Sequence, residues 1–393
     1  MPRGWVVMSA PPTSPRAWIL QLGNDQLTPK ACYYGNELVR RGLHTYYFSE
    51  DRSGLSRSTI ERHELPAEIV PRGLLRRSWR LVQIIRRLRP RAVELFLSAK
   101  PWHLLAYLMI LRLFRVPIVV WCRGEIRDYE KHHPLRRFAF RRVIRASRAV
   151  LLRELHMDDV LERNGVVARE TTSFFPNSVP LGPEPNLDGR RTILYMNALR
   201  AWRHPELVVE AAHLLRDAIP DLRVRIVGAT SGRASYLSSL GPVEEGVQAR
   251  IRELGLETIV ELLPFTDRPA DHFRDAAVFL LPADIVFCNY SLIEAMAAGV
   301  VPIVADVDGA DLIVEDGVSG FLVPRDANAI AERVRLLLED EPLRRRMAME
   351  ARRRIAERFS VESAAARLFE IYASVIAEPA PRARAEPVPA SPE

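Results

Sequence analysis

Short apolar, β-branched runs alternate along this chain with longer stretches whose apolar positions recur at helical spacing. In the first half the pattern predicts strands at Trp18–Leu22, Thr45–Phe48, Ala92–Leu97, Ile118–Trp121, Ala149–Leu152 and Thr171–Phe175. Helices are predicted at Lys30–Arg41 (closed by Gly42), Leu74–Leu88, Trp102–Phe114 and Arg136–Ala146. The alternation then restarts, with strands at Thr192–Met196, Arg223–Val227, Ile259–Leu262, Val278–Leu281 and Val301–Ala305. The helices predicted there are Pro205–Ala218, Val243–Leu254, Pro269–Asp275, Ser291–Ala298, Asn328–Glu339, Pro342–Arg358 and Val361–Ile376. Strand–helix alternation predicts parallel, doubly wound α/β sheets, here in two copies. Residues 181–190, rich in Pro and Gly, are the expected linker. The expected division is an N-terminal domain at 1–180, that linker, and a C-terminal domain at 191–360. A helix at 361–377 is expected to cross back to the N-terminal domain. The tail 378–393 has too little apolar content to fold.

Composition narrows the class. A length of 393 residues suits two domains, and 48% hydrophobic with 27% charged residues suits soluble cores. The longest apolar stretch, Trp102 to Val120, is broken by Arg112, Arg115 and Pro117, so no transmembrane helix is expected. No leader pattern opens the chain, and Cys32, Cys122 and Cys288 are scattered without metal spacing. A cytoplasmic protein with reduced thiols is expected. Charge is uneven: residues 1–188 carry 31 Lys and Arg against 18 Asp and Glu, residues 189–393 carry 25 against 31. Residues 72–91 hold eight arginines and no acid, beside Leu74, Leu75, Trp79 and Leu81. That segment either lies on an anionic membrane surface, on its inner face, or packs as an ordinary surface helix. Nucleic acid is not expected as a partner, because no zinc, RNA-sheet or helix-turn-helix signature is present.

Three segments carry candidate chemistry. Pro282–Gly299 runs from a strand through a loop into a helix that is expected to start near Ser291. Such a helix start, at a parallel strand's C-terminal end, suits an anion. Glu294 could accept ribose hydroxyls; equally, it could be a capping carboxylate on a helix packed by Leu292, Ile293 and Met296. Arg200 and Arg203, after the strand Thr192–Met196, offer planar donor forks to a diphosphate, or are simply solvated. Asp306–Gly309 and Glu315–Val323 read as an acidic turn and a glycine-flanked, hairpin-like segment.

Taken in order, these segments resemble the C-terminal domain of the family-4 retaining glycosyltransferases. The likeness covers about Arg191 to Tyr372. It rests on Asn197–Pro205, Val224–Gly228, Leu254-Gly255-Leu256, Ile293–Pro302, Asp316–Val323 and Glu357-Arg358-Phe359-Ser360. It implies a GT-B fold, with two Rossmann-like domains facing an interdomain cleft. It also implies transfer from a nucleotide-diphosphate sugar, with retention, no metal and no other cofactor. By resemblance, Arg203 takes the place of a diphosphate-gripping Lys, with Arg200 supporting it, and Glu294 binds the ribose. Arg203 and Glu294 are therefore the expected catalytic pair. Donor contacts are expected from Asn197, Arg200, Arg203, Gly228, Asp284, Asn289, Tyr290, Ser291, Leu292 and Glu294. Relatives carry a sugar-binding Glu where this chain has Val286; Asp284 is the nearest acid.

The N-terminal half is less similar. Gly23 and Asn24, His103, Arg123 and Glu125 are the acceptor-side residues that the resemblance suggests. The acceptor would be a sugar, a lipid-linked molecule or another small molecule. Three alternatives stay open: a non-catalytic, glycosyltransferase-like binding subunit, a sugar-nucleotide epimerase on the same fold, and a membrane-surface or nucleic-acid adaptor driven by the arginine-rich helix.

Overall fold

The computed structural model describes residues 17–23, 33–51, 54–122, 126, 129–154, 156–166, 172–229, 241–266, 268–286 and 289–377. The chain divides into two compact units: residues 1–175 with 365–393, and residues 176–364. Expectations for Asn24, Arg123, Glu125 and the tail fall outside the described residues.

The first unit runs β1 (Ala17–Leu22), α1 (Tyr33–Arg40), β2 (Leu43–Ser49), α2 (Leu55–His63), β3 (Ala67–Ile69), α3 (Leu74–Leu88) and β4 (Ala92–Phe96). It continues through α4 (Pro101–Leu113), β5 (Ile118–Cys122), α5 (Pro134–Ile144), β6 (Ala149–Leu152), α6 (His156–Arg163) and β7 (Thr172–Phe174). The strands form one parallel sheet in the order β3-β2-β1-β4-β5-β6-β7. β1, β4 and β5 are buried nearly throughout, which is why they read as continuous apolar runs with no alternation. The arginine-rich α3 is not uniformly outward-facing. Arg77 Nη1 donates to Glu50 Oε1 (2.7 Å), Arg80 Nε to Glu68 Oε2 (2.6 Å), and Arg87 Nη2 to Glu68 Oε1 (3.1 Å). Three of the eight arginines of residues 72–91 therefore pair with acids of their own unit. Sequence distance concealed those acids.

The second unit runs β8 (Thr192–Met196), α7 (Pro205–Leu215), β9 (Val224–Ala229), α8 (Gly241–Glu253), β10 (Val260–Pro264), α9 (Ala270–Phe273) and β11 (Ala276–Leu281). Then come α10 (Tyr290–Ala297), β12 (Val301–Ala305), α11 (Ala310–Ile313), β13 (Phe321–Val323), α12 (Ala327–Glu339) and α13 (Glu341–Arg358). Its parallel sheet has the order β10-β9-β8-β11-β12-β13. The hairpin expected at 315–323 is instead a tight turn, closed by an Asp316–Gly320 bridge, that delivers β13 as a parallel edge strand beside β12.

The expected linker 181–190 belongs to this second unit. Arg190 is buried and donates from Nε to Asn186 O (2.7 Å) and from Nη1 to Ala298 O (3.1 Å). Pro185 presses on Gly299, whose φ is +70°; a Cβ there would lie 2.9 Å from Pro185 Cγ. The prolines stiffen a packed segment and do not mark a free hinge.

The last helix, α14 (Val361–Ala377), begins in the second unit and passes into the first at residue 365. In the first unit Tyr372 is buried, and its hydroxyl donates to Glu94 Oε2 (3.1 Å), which also accepts from Gln21 Nε2 (3.2 Å). Among the described residues no helix is long and apolar enough to cross a membrane.

Candidate functional site

Strand order locates a site before any side chain is considered. From β8 the second sheet grows first towards β9 and β10, then reverses to β11, β12 and β13. The reversal leaves a crevice between the C-terminal ends of β8 and β11, the usual ligand position of an open α/β sheet.

The β8 end carries Asn197. Its amide donates to Val227 O (3.1 Å), and its carbonyl faces the backbone of Gly228 at the end of β9. Gly228 has φ +141°, and a Cβ there would sit 2.0 Å from Asn197 O. Only glycine allows this approach. The other side of the crevice is the start of α10. Asn289 caps it by accepting the Leu292 amide on Oδ1 (3.2 Å), while its Nδ2 donates to Asn197 Oδ1 (3.0 Å). This corrects the expected start: the helix opens at Tyr290 with Asn289 as its cap, not at Ser291. The Asn197 bond holds Asn289 in its capping rotamer. Leu292 is fully buried, so only its backbone is available to a ligand. Tyr290, Ser291 and Glu294 are half-buried, and Glu294 lies on the next turn, beyond the N3 position that a capping carboxylate would need.

The turn after β8 is a single 3-10 turn, Ala201–Arg203. Arg200 is exposed at its start. Arg203 is half-buried, with its guanidinium 4.5 Å from the Trp202 ring centre. Burial lowers the Arg203 pKa, opposed by Tyr195 and assisted by Arg200. Tyr195 Oη, Asn197 Nδ2 and Arg203 Nε are among the buried side-chain polar atoms, found in both units, that have no hydrogen-bond partner among the described residues. All three lie in the β8 end and the turn that follows. Orphaned polar atoms are rare in protein interiors and cost about 1–3 kcal/mol each unless something pairs them.

Asp284, expected as a sugar contact, is already engaged. Its Oδ1 lies 2.8 Å from His204 Nε2 and accepts from Arg325 Nη1, and its amide donates to Trp202 O (2.9 Å). His204 also meets Glu206 through Nδ1 (2.9 Å). Burial opposes charge on His204, but the hydrogen bonds to Asp284 and Glu206 outweigh it and raise its pKa. The His204 bond, in turn, lowers the Asp284 pKa. His204 adopts a left-handed conformation (φ 48°) at the head of α7. Sequence reading missed His204, Trp202 and Arg325. Arg325 is distant in sequence from the other two.

Val286 is buried in the apolar cluster that contains Ala283, Leu292 and Ile293. No carboxylate occupies that position, and its surroundings would not solvate one.

In the first unit Gly23 ends β1 with φ +76°, and a Cβ there would lie 2.3 Å from Phe96 O. It serves the contact of the β1 and β4 ends. His103 lies 3.2 Å, through Nδ1, from Arg77 Nη1. Burial, with Arg77 beside it, lowers the His103 pKa, and because a guanidinium only donates, Nδ1 is the acceptor of this hydrogen bond. Arg77, itself paired with Glu50, thus occupies Nδ1 of the expected acceptor-side histidine.

Residues 183–354 match the family model of glycosyl transferases group 1. The match lies within the second unit and covers less than half of the chain. The D-inositol 3-phosphate glycosyltransferase of Streptomyces griseus is 31% identical over 195 residues, covering 49% of this chain and 41% of that protein. The enzyme of the same name from Streptomyces coelicolor is 32% identical over 186 residues, covering 47% and 40%. The match thus spans about two fifths of these relatives' length. Solved structures extend the likeness. Anabaena HepE, in complex with UDP, superposes with TM-score 0.74 at 17% identity, covering 91% of this chain and 100% of HepE. A Rickettsia africae glycosyltransferase gives 0.74 at 14% identity, covering 93% and 100%. Sucrose-phosphate synthase from Thermosynechococcus elongatus gives 0.71 at 16%, covering 92% and 100%. These superpositions show that the chain has the GT-B fold.

Proposed function

We propose that this protein transfers a glycosyl group from a nucleoside-diphosphate sugar, with the diphosphate held at the β8–β11 crevice of the second unit. The observation that carries this is the trio of orphaned polar atoms at the β8 end, above all Arg203 Nε, inside the segment that matches the group 1 model. A diphosphate oxygen would pair the Arg203 guanidinium, and Arg200 would add a second cation. The capped start of α10 would supply amides from the other side. Glu294 would take the ribose. As the glycosidic bond breaks, negative charge grows on the leaving diphosphate, where fixed cations stabilise it. Arginine can supply that stabilisation without a metal, and retention of configuration is expected from the family. HepE was solved with UDP, so UDP is the first nucleotide to test.

Thermal-shift measurements with UDP, GDP, ADP and dTDP, with and without Mg2+, test the reading. Stabilisation by at least one, lost in Arg203→Ala, is the expected result. No shift with any of them would remove the donor site. One observation favours a second reading, a binding subunit without transfer: Val286 is buried where relatives carry a sugar-binding Glu. Nucleotide binding without release of diphosphate from any nucleotide sugar would select it.

A further inference from the structure

Three helices of the first unit share one face of its sheet. The steps β3 to β4, β4 to β5 and β5 to β6 all advance in one direction across the sheet. Right-handed crossovers therefore place α3, α4 and α5 side by side. α3 touches α4, and α4 touches α5. Inward residues such as Leu81, Ile84, Leu104, Leu111, Phe140 and Val143 build the core.

The outward residues are not the polar set expected of a solvated face. Leu75 is 85% exposed, Trp79 65%, Trp102 61%, Met109 68%, Leu113 78% and Phe138 52%. Leu75 and Trp79 lie one turn apart on α3. Trp102, Met109 and Leu113 recur at helical spacing along one stripe of α4. Scattered apolar residues are normal on a surface; six large ones on three adjoining helices form a patch.

The charge on the same helices has one sign. α3, α4 and α5 contain no Asp or Glu. Arg76, Arg86, Arg112, Arg141 and Arg142 are exposed on them. Cations and aromatics interleave: Arg86 lies 5.9 Å from the Phe114 ring centre, and Arg142 5.9 Å from that of Phe138. An anionic bilayer complements both properties at once. Its phosphates take the guanidinium groups, and its acyl boundary takes Trp, Leu and Met.

We infer that the α3–α4–α5 face docks in the plane of an anionic bilayer surface, with Leu75, Trp79, Trp102, Met109 and Leu113 entering the interface. Docking of this kind requires three helices, not residues 72–91 alone. It stands independently of glycosyl transfer.

Vesicle co-sedimentation of the full chain tests it. The chain should pellet with vesicles of phosphatidylcholine and phosphatidylglycerol, and stay in solution with phosphatidylcholine alone. Replacing Leu75, Trp79, Met109 and Leu113 together by Ser should lower partitioning by about tenfold or more, with circular dichroism unchanged, because interfacial binding scales with apolar area. Arg141→Ser with Arg142→Ser should weaken it several-fold. Brominated acyl chains should quench part of the Trp emission, and that part should vanish in Trp79→Phe with Trp102→Phe. Pelleting that survives the four Ser substitutions would overturn the inference. So would quenching that persists without Trp79 and Trp102, or a dimer that closes this face and leaves vesicles unbound.

Discussion

Replacing Arg203 by Met should move stability and binding in opposite directions. Met keeps much of the side chain's length, can lie against the Trp202 ring that the guanidinium now covers, and removes the guanidinium. In the nucleotide-free protein that group is half-buried with Nε unpaired, and burial opposes its charge. Relieving one orphaned buried donor is worth about 1–3 kcal/mol. For a domain of about 150–250 residues, 1 kcal/mol moves Tm by roughly 2–4 °C. The nucleotide-free variant should therefore melt a few degrees higher than the parent. Its UDP affinity should fall, because one or two hydrogen bonds to a charged group, about 1.5–3 kcal/mol each, are lost. At about 1.4 kcal/mol per factor of ten, Kd should rise at least tenfold. Differential scanning fluorimetry without ligand and calorimetric titration with UDP give the two numbers. Arg200→Met, at an exposed position, should leave the nucleotide-free Tm nearly unchanged. A Tm several degrees lower in Arg203→Met, with Kd within twofold of the parent, would refute the reasoning and make Arg203 a structural anchor.

Gly228→Ala adds a Cβ 2.0 Å from Asn197 O at φ +141°; urea titration should show a loss of about 1–3 kcal/mol from forced repacking, and UDP binding should weaken as Asn197 shifts. His204 has a raised folded pKa, so its ion pairs contribute fully below its unfolded value of about 6.5 and fade as pH rises through the folded value. Asp284, with its pKa lowered, stays ionised across that window. Tm should thus fall from pH 6 towards higher pH, and His204→Gly, which suits a left-handed backbone, should flatten the profile; an equally steep profile in the variant would assign the titration to another group. Val286→Glu places a carboxyl in an apolar cluster and should cost roughly 2–7 kcal/mol by chemical denaturation. A variant as stable as the parent that also transfers sugar faster would show that this position faces the sugar.

The candidate site was partly legible. Arg203 was picked out because an arginine after a strand is a local signal, whereas Asn197 and Asn289 entered only through the family resemblance. Their mutual arrangement was not legible. The Asn197–Asn289 bond joins residues 92 positions apart, and the His204–Asp284 pair spans 80. The choice of cap shows the limit of local reading: Asn289 and Ser291 are both good caps, and the bond from Asn197 selects Asn289. Short elements escaped for another reason. β3 and β13 have three residues each, too few to display a period, and exist because a neighbouring strand offers its edge.

What the amino-acid sequence determined by itself is the alternation of buried strands and amphipathic helices, repeated twice, because periodicity is written in consecutive residues. That alternation, with right-handed crossovers, commits the chain to two doubly wound sheets. Only the tertiary structure decided which polar groups find partners. It turned Arg77, Arg80 and Arg87 inward to acids, tied Asp284 to His204 and Arg325, and folded residues 181–190 onto the second unit. It also left Arg203 Nε unpaired at the switch point and gathered the exposed Trp and Leu of three helices on one face. Pairing of charge and exposure of apolar surface depend on distances through space, and those are set only once the strands have taken their order.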